Sequence, residues 1–340
     1  MSHINPNMKL IDQANQTYLE NFPKESYYGR CIFLSWYCKK GTCKFCFRST
    51  MQHKIKYAQD AKRTIPSVLV EAILAKQLGW NIEFLTGGYE IYPFDELIEI
   101  IKTLVKIYGK KIWLNLGLFT TEELEKLKPY VEGICCSIET VEPKLHDELC
   151  PDKPIEPYTK MLEQADRMGF KKSITIVIGL GEKEEDIVLL HEFIRKYTLN
   201  RITFYALKPV KGTPFTQGPE TEYYLNWIAK TRIAFPKLEI IAGTTARRYK
   251  EAGLLLKAGA NAVTKFPATK LFGTEQAKTI EQEAKNEGRP LRGTLTKLPE
   301  IDWNKEIDKM EIDPELKTQL KEKLKLYLDR MEKNINKTRK

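Results

Sequence analysis

Three cysteines, Cys38, Cys43 and Cys46, are spaced C-x₄-C-x₂-C in a loop that follows the apolar run Cys31-Ile-Phe-Leu-Ser35. Thiolates this close repel one another unless a cation neutralises them, and a soft metal does so best. A structural zinc site is normally closed by four protein ligands. No fourth ligand lies nearby, since Cys31 precedes the loop and the next cysteine is Cys135. Three thiolates on a [4Fe–4S] cluster instead leave one iron open to a small molecule, as catalysis on a cluster requires. On spacing alone, zinc and unligated cysteines stay open as alternatives. His3, His53, His146 and His191 show no metal-ligand spacing, and no catalytic triad is supported. Cys135 and Cys150 read as small buried fillers, with a second cluster or a substrate contact as the other reading.

The elements that must position this loop alternate along the chain. Short β-branched runs at 31–35, 82–85, 112–116, 133–139, 173–178, 202–206, 238–241 and 262–264 are separated by amphipathic helical stretches near 94–108, 121–129, 157–168, 183–196, 219–234 and 245–257. A helix from Pro66-Ser67 to Gly79 precedes the second run, and Thr120-x-x-Glu123 is a capping box. Eight strands with helices between them predict an α/β fold, a parallel (β/α)₈ TIM-type barrel, with a doubly wound sheet as the alternative. A helix over 8–21 leads in and a helical extension follows, giving an expected division into 1–29, a barrel over 30–298, and a tail over 299–340. In the tail, Leu316, Leu320, Leu324 and Leu328 form one stripe that is expected to cover the barrel or a partner subunit.

Strand alternation sorts the side chains. Ile174, Ile176 and Ile178 share one face, and Ser173, Thr175, Val177 and Gly179 the other. Cys135, Ser137 and Glu139 lie opposite Cys136 and Ile138; Thr203 and Tyr205 lie opposite Ile202 and Phe204. Packing the apolar faces on the helices leaves a lumen of polar and small residues, which predicts a ligand cavity or, as the alternative, a hydrogen-bonded polar core.

At 340 residues with 42% apolar and 10% aromatic side chains, the chain is long enough for a barrel-sized core. No apolar run reaches the roughly 18–20 residues of a membrane span, and the N-terminus lacks a signal-peptide layout; a cytoplasmic protein without membrane association is expected. Seven cysteines, three of them clustered, suit metal binding in a reducing compartment. The net charge of +10 reflects in part a Lys-rich tail, with nine Lys or Arg against five Asp or Glu over 313–340. A solvated surface is therefore expected rather than nucleic-acid binding.

The cysteine loop, with Phe45 before its last cysteine, resembles that of the radical S-adenosylmethionine (SAM) superfamily, although its first gap is one residue wider than the usual C-x₃-C. Further stretches resemble the biotin-synthase-like branch in the same order. They are Thr86-Gly87-Gly88-Tyr89-Glu90 (with Tyr89 inserted), Ser137-Ile-Glu139-Thr140, Thr175-x-Val177-x-Gly179-x-x-Glu182, Lys211-Gly-Thr-Pro214 and Ala258-Gly-Ala-Asn261. The resemblance implies a [4Fe–4S] cluster on Cys38, Cys43 and Cys46. It also implies SAM contacts at Phe45, Gly87, Gly88, Ser137, Glu139, Val177 and Gly179. Implied partners are a small-molecule substrate and an electron donor such as a ferredoxin or flavodoxin. Biotin synthase holds an auxiliary cluster on strands two, three and five, where this chain has Phe84 (to within one residue), Trp113 and Ser173. Chemistry without sulfur insertion is therefore expected. The wide first gap resembles that of the maturases that build the pyridinol of the iron-guanylylpyridinol cofactor, which points to cofactor biosynthesis. An archaeal-type lipoyl synthase component and a non-catalytic iron–sulfur or zinc protein are the alternatives. Lys208, Arg247, Arg248 and Lys265, near the ends of late strands, are candidates to hold a substrate carboxylate.

Overall fold

The computed structural model describes residues 6–338 apart from 52 and 56; His3 lies outside the described residues. Eight parallel strands close into a barrel: β1 (Ser26–Phe33), β2 (Asn81–Thr86), β3 (Ile112–Asn115), β4 (Val131–Glu139), β5 (Lys171–Ile178), β6 (Arg201–Ala206), β7 (Glu239–Gly243) and β8 (Ala262–Thr264). Closure is through β1, which pairs with both β2 and β8. A two-residue β9 (Leu291–Arg292) adds to the foot of β1 at Ser26–Tyr27. The α/β barrel reading holds. The first strand begins five residues before the expected Cys31, because Tyr27 and Tyr28 favour extended backbone as strongly as the apolar run does. It also stops two residues short of Ser35, which instead bridges to Lys62.

The expected helices are present with shifted ends, and a helix at Glu275–Asn286 and short ones at Pro143–Leu149, Ala268–Leu271 and Trp303–Asp308 were not anticipated. Thr120 caps the helix Thr121–Leu127 through the reciprocal Glu123 bond. The helix Pro6–Asn21 lies against Thr221–Ala234. The final helix Pro314–Lys337 packs on Ile65–Gln77 and Ala268–Leu271 of the same chain. Leu320 and Leu324 of its stripe are fully buried, while Leu316 and Leu328 are partly so. No helix of the described residues is long and apolar enough to cross a membrane.

The strand alternation falls as expected. Ile174, Ile176, Ile178, Cys136, Ile138, Ile202 and Phe204 join the large core between barrel and helices. Burying a side chain of this size stabilises by about 1.5–3 kcal/mol, so the ring of strands is fixed from outside. The lumen is filled in layers. At the bottom Tyr27, Ile241 and Ala262 pack together, beside an Arg201–Glu239 ion pair at 2.6 Å. Above them Cys31, Phe84, Trp113 and Cys135 form a second apolar layer, with the Arg201 guanidinium 4.1 Å from the Trp113 ring. The lumen is thus more aromatic than its alternating pattern suggested, and open space begins only above this layer.

Candidate active site

The open space is a cavity of about 260 Å³ at the C-terminal mouth of the barrel, the end where barrel active sites form. Its wall includes Cys38, Cys43, Cys46 and Phe45 from the loop after β1, Thr86, Gly87, Gly88 and Tyr89 from the end of β2, and Asn115 from β3. Ser137 and Glu139 from β4, Lys153 from the loop that follows, Thr175 and Val177 from β5, Tyr205 from β6 and Lys265 after β8 complete it. Elements far apart in sequence are thereby brought to one rim.

Two loops are zipped together at that rim. The Tyr89 amide donates to the Cys38 sulfur at 3.3 Å, and the Lys39 amide donates to the Tyr89 carbonyl at 3.2 Å. A Cβ on Gly88 would stand 1.9 Å from the Tyr37 carbonyl oxygen and 2.6 Å from the Cys38 Cα. Glycine at 88 is therefore what lets the β2 loop approach the cysteine loop, and the extra Tyr89 belongs to the same contact.

On the opposite side, the Lys44 amide donates to the Leu149 carbonyl at 2.9 Å. Cys150 lies in the cluster that Cys43 packs against. Its thiol holds the Cys43 thiol below its ordinary pKa, while Cys43 and then burial push Cys150 upward. Cys46 is raised, chiefly by burial. Cys150 therefore sits beside the cysteine loop, while Cys135 is in the lumen layer. Phe45 and Val177 pack into one apolar cluster with Leu149, Cys150, Leu180 and Leu207.

Glu139 ends β4 with a left-handed backbone (φ 68°), which carries its carboxylate to the Lys153 ammonium at 2.8 Å. Both side chains are largely buried, at 13% and 12% exposed. Burial would lower the Lys153 pKa, but Glu139, together with Tyr158 and Cys43 behind it, outweighs it and the net shift is upward. Lys153 was not singled out from sequence; it lies in a loop with no distinguishing pattern. Ser137 donates to Asn115 Oδ1 at 2.9 Å.

Beneath these residues Glu83 is 1% exposed and accepts from the Cys31 thiol at 2.9 Å, Thr203 at 3.0 Å and Tyr205 at 3.1 Å, and also from Thr264. Burial and then Glu83 raise Cys31 to about 12 and lift Tyr205 well above its ordinary value. Glu83 was also missed. Its register shifts relative to β1 between Arg30 and Cys31, so that both Glu83 and Phe84 face the lumen, which strict alternation forbids.

Of the expected SAM contacts, the structure gathers Phe45, Gly87, Gly88, Ser137, Glu139 and Val177 on the cavity wall but not Gly179. The Gly179 amide donates to Glu182 Oε1 at 2.6 Å, in a turn where Glu182 also takes the amides of Leu180 and Gly181. Gly179 has φ 100° and Pro219 packed over it, so its glycine serves the turn. Of the four late-strand cations, Lys265 lines the cavity, while Arg248 is bound by Glu251 and the Pro219 carbonyl and Lys208 and Arg247 are exposed. His146 is buried and His191 half-buried, and neither lines this cavity.

The seven cysteines are free thiols. Among the described residues, no three His, Cys, Asp or Glu side chains already stand in ligating geometry. The fit of Cys38, Cys43 and Cys46 to an iron–sulfur cluster is one of donor chemistry, three soft sulfurs on one cavity wall.

Residues 35–194 match the Radical SAM superfamily, and residues 203–286 match the Biotin and Thiamin Synthesis associated domain. An uncharacterized protein of Methanocaldococcus jannaschii is 38% identical over 88% of this chain and 85% of its own length. The 7,8-didemethyl-8-hydroxy-5-deazariboflavin synthase of Archaeoglobus fulgidus is 30% identical over 66% of this chain and 73% of its own. A biotin synthase of Chlamydia pneumoniae is 25% identical, over 82% and 86%. Among solved structures, methylornithine synthase (PylB) superposes with a TM-score of 0.72 at 21% identity, over 84% of this chain and 89% of that one. With the cysteine loop, the strand-end residues and the barrel in the order this family requires, the chain belongs to the radical SAM superfamily, in its biotin-synthase-like branch.

Proposed function

We propose that this enzyme cleaves SAM on a [4Fe–4S] cluster held by Cys38, Cys43 and Cys46, and uses the outcome to rearrange or fragment a small molecule without inserting sulfur. The observation that carries the reading is the shared wall: the three thiols, Gly87 and Gly88, Ser137 and Glu139, and Phe45 and Val177 all face one cavity. When bound, the cluster supplies the electron that splits SAM into methionine and a 5′-deoxyadenosyl radical.

The chain's own residues do the rest. Phe45 and Val177 offer an apolar face for an adenine ring. Ser137 and the Glu139–Lys153 pair offer polar contacts for the ribose, amino and carboxylate groups. The aromatic layer of Phe84 and Trp113 closes the floor and excludes water from a reactive intermediate. A ferredoxin or flavodoxin would deliver the electron.

The absence of sulfur insertion rests on Phe84, Trp113 and Ser173, which fill the strand positions where an auxiliary cluster would need thiols. Cys31 and Cys135 share their lumen layer, but Cys136 points to the outer core and Cys150 to the cysteine loop. The wide first cysteine gap favours a role in cofactor biosynthesis, with the pyridinol of the iron-guanylylpyridinol cofactor as the specific proposal.

The test is anaerobic incubation of the reconstituted protein with dithionite and SAM. Formation of 5′-deoxyadenosine that depends on all three cysteines is expected. Its absence from protein with full iron content overturns the reading. A thiolated product that is lost when Cys135 and Cys150 are both changed to alanine would instead establish lipoyl-type sulfur insertion.

A further inference from the structure

Lys265 stands where three cavities meet. It lines the central one, a second of about 350 Å³ under the ends of β6, β7 and β8, and a third of about 290 Å³ beside β1. The second cavity is continuous in its lining with the central one, since Phe45, Val177, Tyr205 and Lys265 face both.

The Lys265 ammonium lies 4.5 Å from the centroid of the Tyr205 ring and 4.9 Å from that of Phe33. Among the described residues it forms no ion pair, whereas Glu139, Lys153, Arg30, Arg63 and Glu71 in the walls of the central and third cavities each have one, and Arg48, which also lacks one, donates to the Ser35 carbonyl. Its backbone is left-handed (φ 66°), a conformation that costs a non-glycine residue stability and persists where the surroundings hold it in place. Tyr205 is in turn fixed from below by its hydrogen bond to Glu83.

We propose that Lys265 anchors the carboxylate of a small substrate with an otherwise apolar body, seated in the 350 Å³ cavity. Calling this occupant the substrate rests on the radical SAM reading; the binding chemistry does not. The remaining wall is apolar or weakly polar, with Phe45, Val177, Leu207 and Ala246, and among the described residues no carboxylate lines it. Lys208 lies at its exposed edge and adds a second, screened attraction. A phosphate is best held by an arginine fork, a cradle of helix-terminal amides or several converging lysines; neither Arg247 nor Arg248 lines this cavity, and Lys208 is at its exposed edge. The Lys265 ammonium suits one carboxylate, which gains a charge-assisted hydrogen bond while the Tyr205 and Phe45 rings in the same wall cover the apolar body.

The probes are benzoate, benzamide and inorganic phosphate, titrated into the anaerobically reconstituted full chain with SAM present and followed by saturation-transfer NMR. Benzoate is expected to bind roughly tenfold or more tightly than benzamide, the worth of one charged hydrogen bond. Lys265→Asn, a residue that tolerates the left-handed backbone, should abolish that preference. Lys208→Ala should weaken benzoate only two- to threefold, roughly the worth of a screened surface charge, and Arg247→Ala should leave it unchanged. Should Lys265→Asn not fold, raising salt from about 0.05 to about 0.5 M must weaken benzoate and not benzamide in the unaltered protein. Equal binding of benzoate and benzamide, a preference that survives Lys265→Asn, or displacement of benzoate by phosphate at lower concentration each overturns the assignment. 5′-Deoxyadenosine is measured in parallel. SAM cleavage without a carboxylate preference refutes the substrate class alone, and a carboxylate preference without cleavage refutes the radical SAM reading alone.

Discussion

Glu139 combines a left-handed backbone with an ion pair to Lys153 that is largely shielded from water. Removing one member of such a pair strands the other, which costs about 3–5 kcal/mol, whereas replacing both with apolar groups is nearly neutral. Glu139→Ala is therefore expected to lower the unfolding free energy by about 3 kcal/mol, and Glu139→Ala with Lys153→Met to recover most of it, as urea denaturation will show. Affinity for SAM should fall by about 10- to 150-fold in both variants, because each lacks the carboxylate. Unchanged SAM affinity by calorimetry would place Glu139 outside the binding site and leave it only a structural pair.

At the scale of elements, the irregularity in β2 matters most. By turning Glu83 inward, it ties β2 to donors on β1, β6 and β8 in a single buried cluster. Glu83→Ala leaves these groups without their shared acceptor, and a loss of about 3 kcal/mol or more is expected in urea unfolding. Glu83→Gln, which keeps an oxygen acceptor, should lose less; equal losses would show that shape and not hydrogen bonding holds the strands.

The helix Ile187–Tyr197 offers a pH test. His191 packs edge-on to Phe235 with Thr231 Oγ1 3.4 Å from its ring nitrogen. Burial, then Arg195 and Lys230, lowers its pKa from 6.5 to about 4. Above 6.5 the ring is neutral whether the chain is folded or unfolded. Between 6.5 and 4 only the unfolded chain takes up the proton, so stability from this residue is lost as pH falls through that window. His191→Phe should flatten the dependence of stability on pH between about 6.5 and about 4; identical profiles would refute the assignment.

For the whole molecule, the barrel and the cysteine loop are separable. The core lies between strands and helices, and the three thiols sit on the rim above it. Changing Cys38, Cys43 and Cys46 together to alanine should abolish iron binding and leave the circular dichroism and the fold intact. The unaltered protein should hold about four irons per chain, the content of one cluster with three cysteine ligands. About eight irons, with cluster retained in the triple variant, would reveal a second cluster elsewhere.

The chain's periodicity pointed to a parallel barrel and to which strand faces turn outward, and the cysteine spacing to the loop as the candidate chemical centre, because these follow from local alternation and spacing. Closure of the barrel over a doubly wound sheet was decided by the pairing of β1 with β8. Only the tertiary structure decided the rest. Lys153 and Glu83 are single charged residues without a local pattern; their importance comes from the partners that folding brings to them from other strands. The inward turn of both Glu83 and Phe84 depends on how β2 pairs with β1, which no period-two reading of one strand contains. Gly179 had the right spacing for a ligand contact, but its amide is taken by Glu182 three residues on. Lys265 stood equal with Lys208, Arg247 and Arg248 in the sequence. Barrel closure set it apart by placing its ammonium against rings from β1 and β6, while Arg248 was bound by Glu251 and the Pro219 carbonyl.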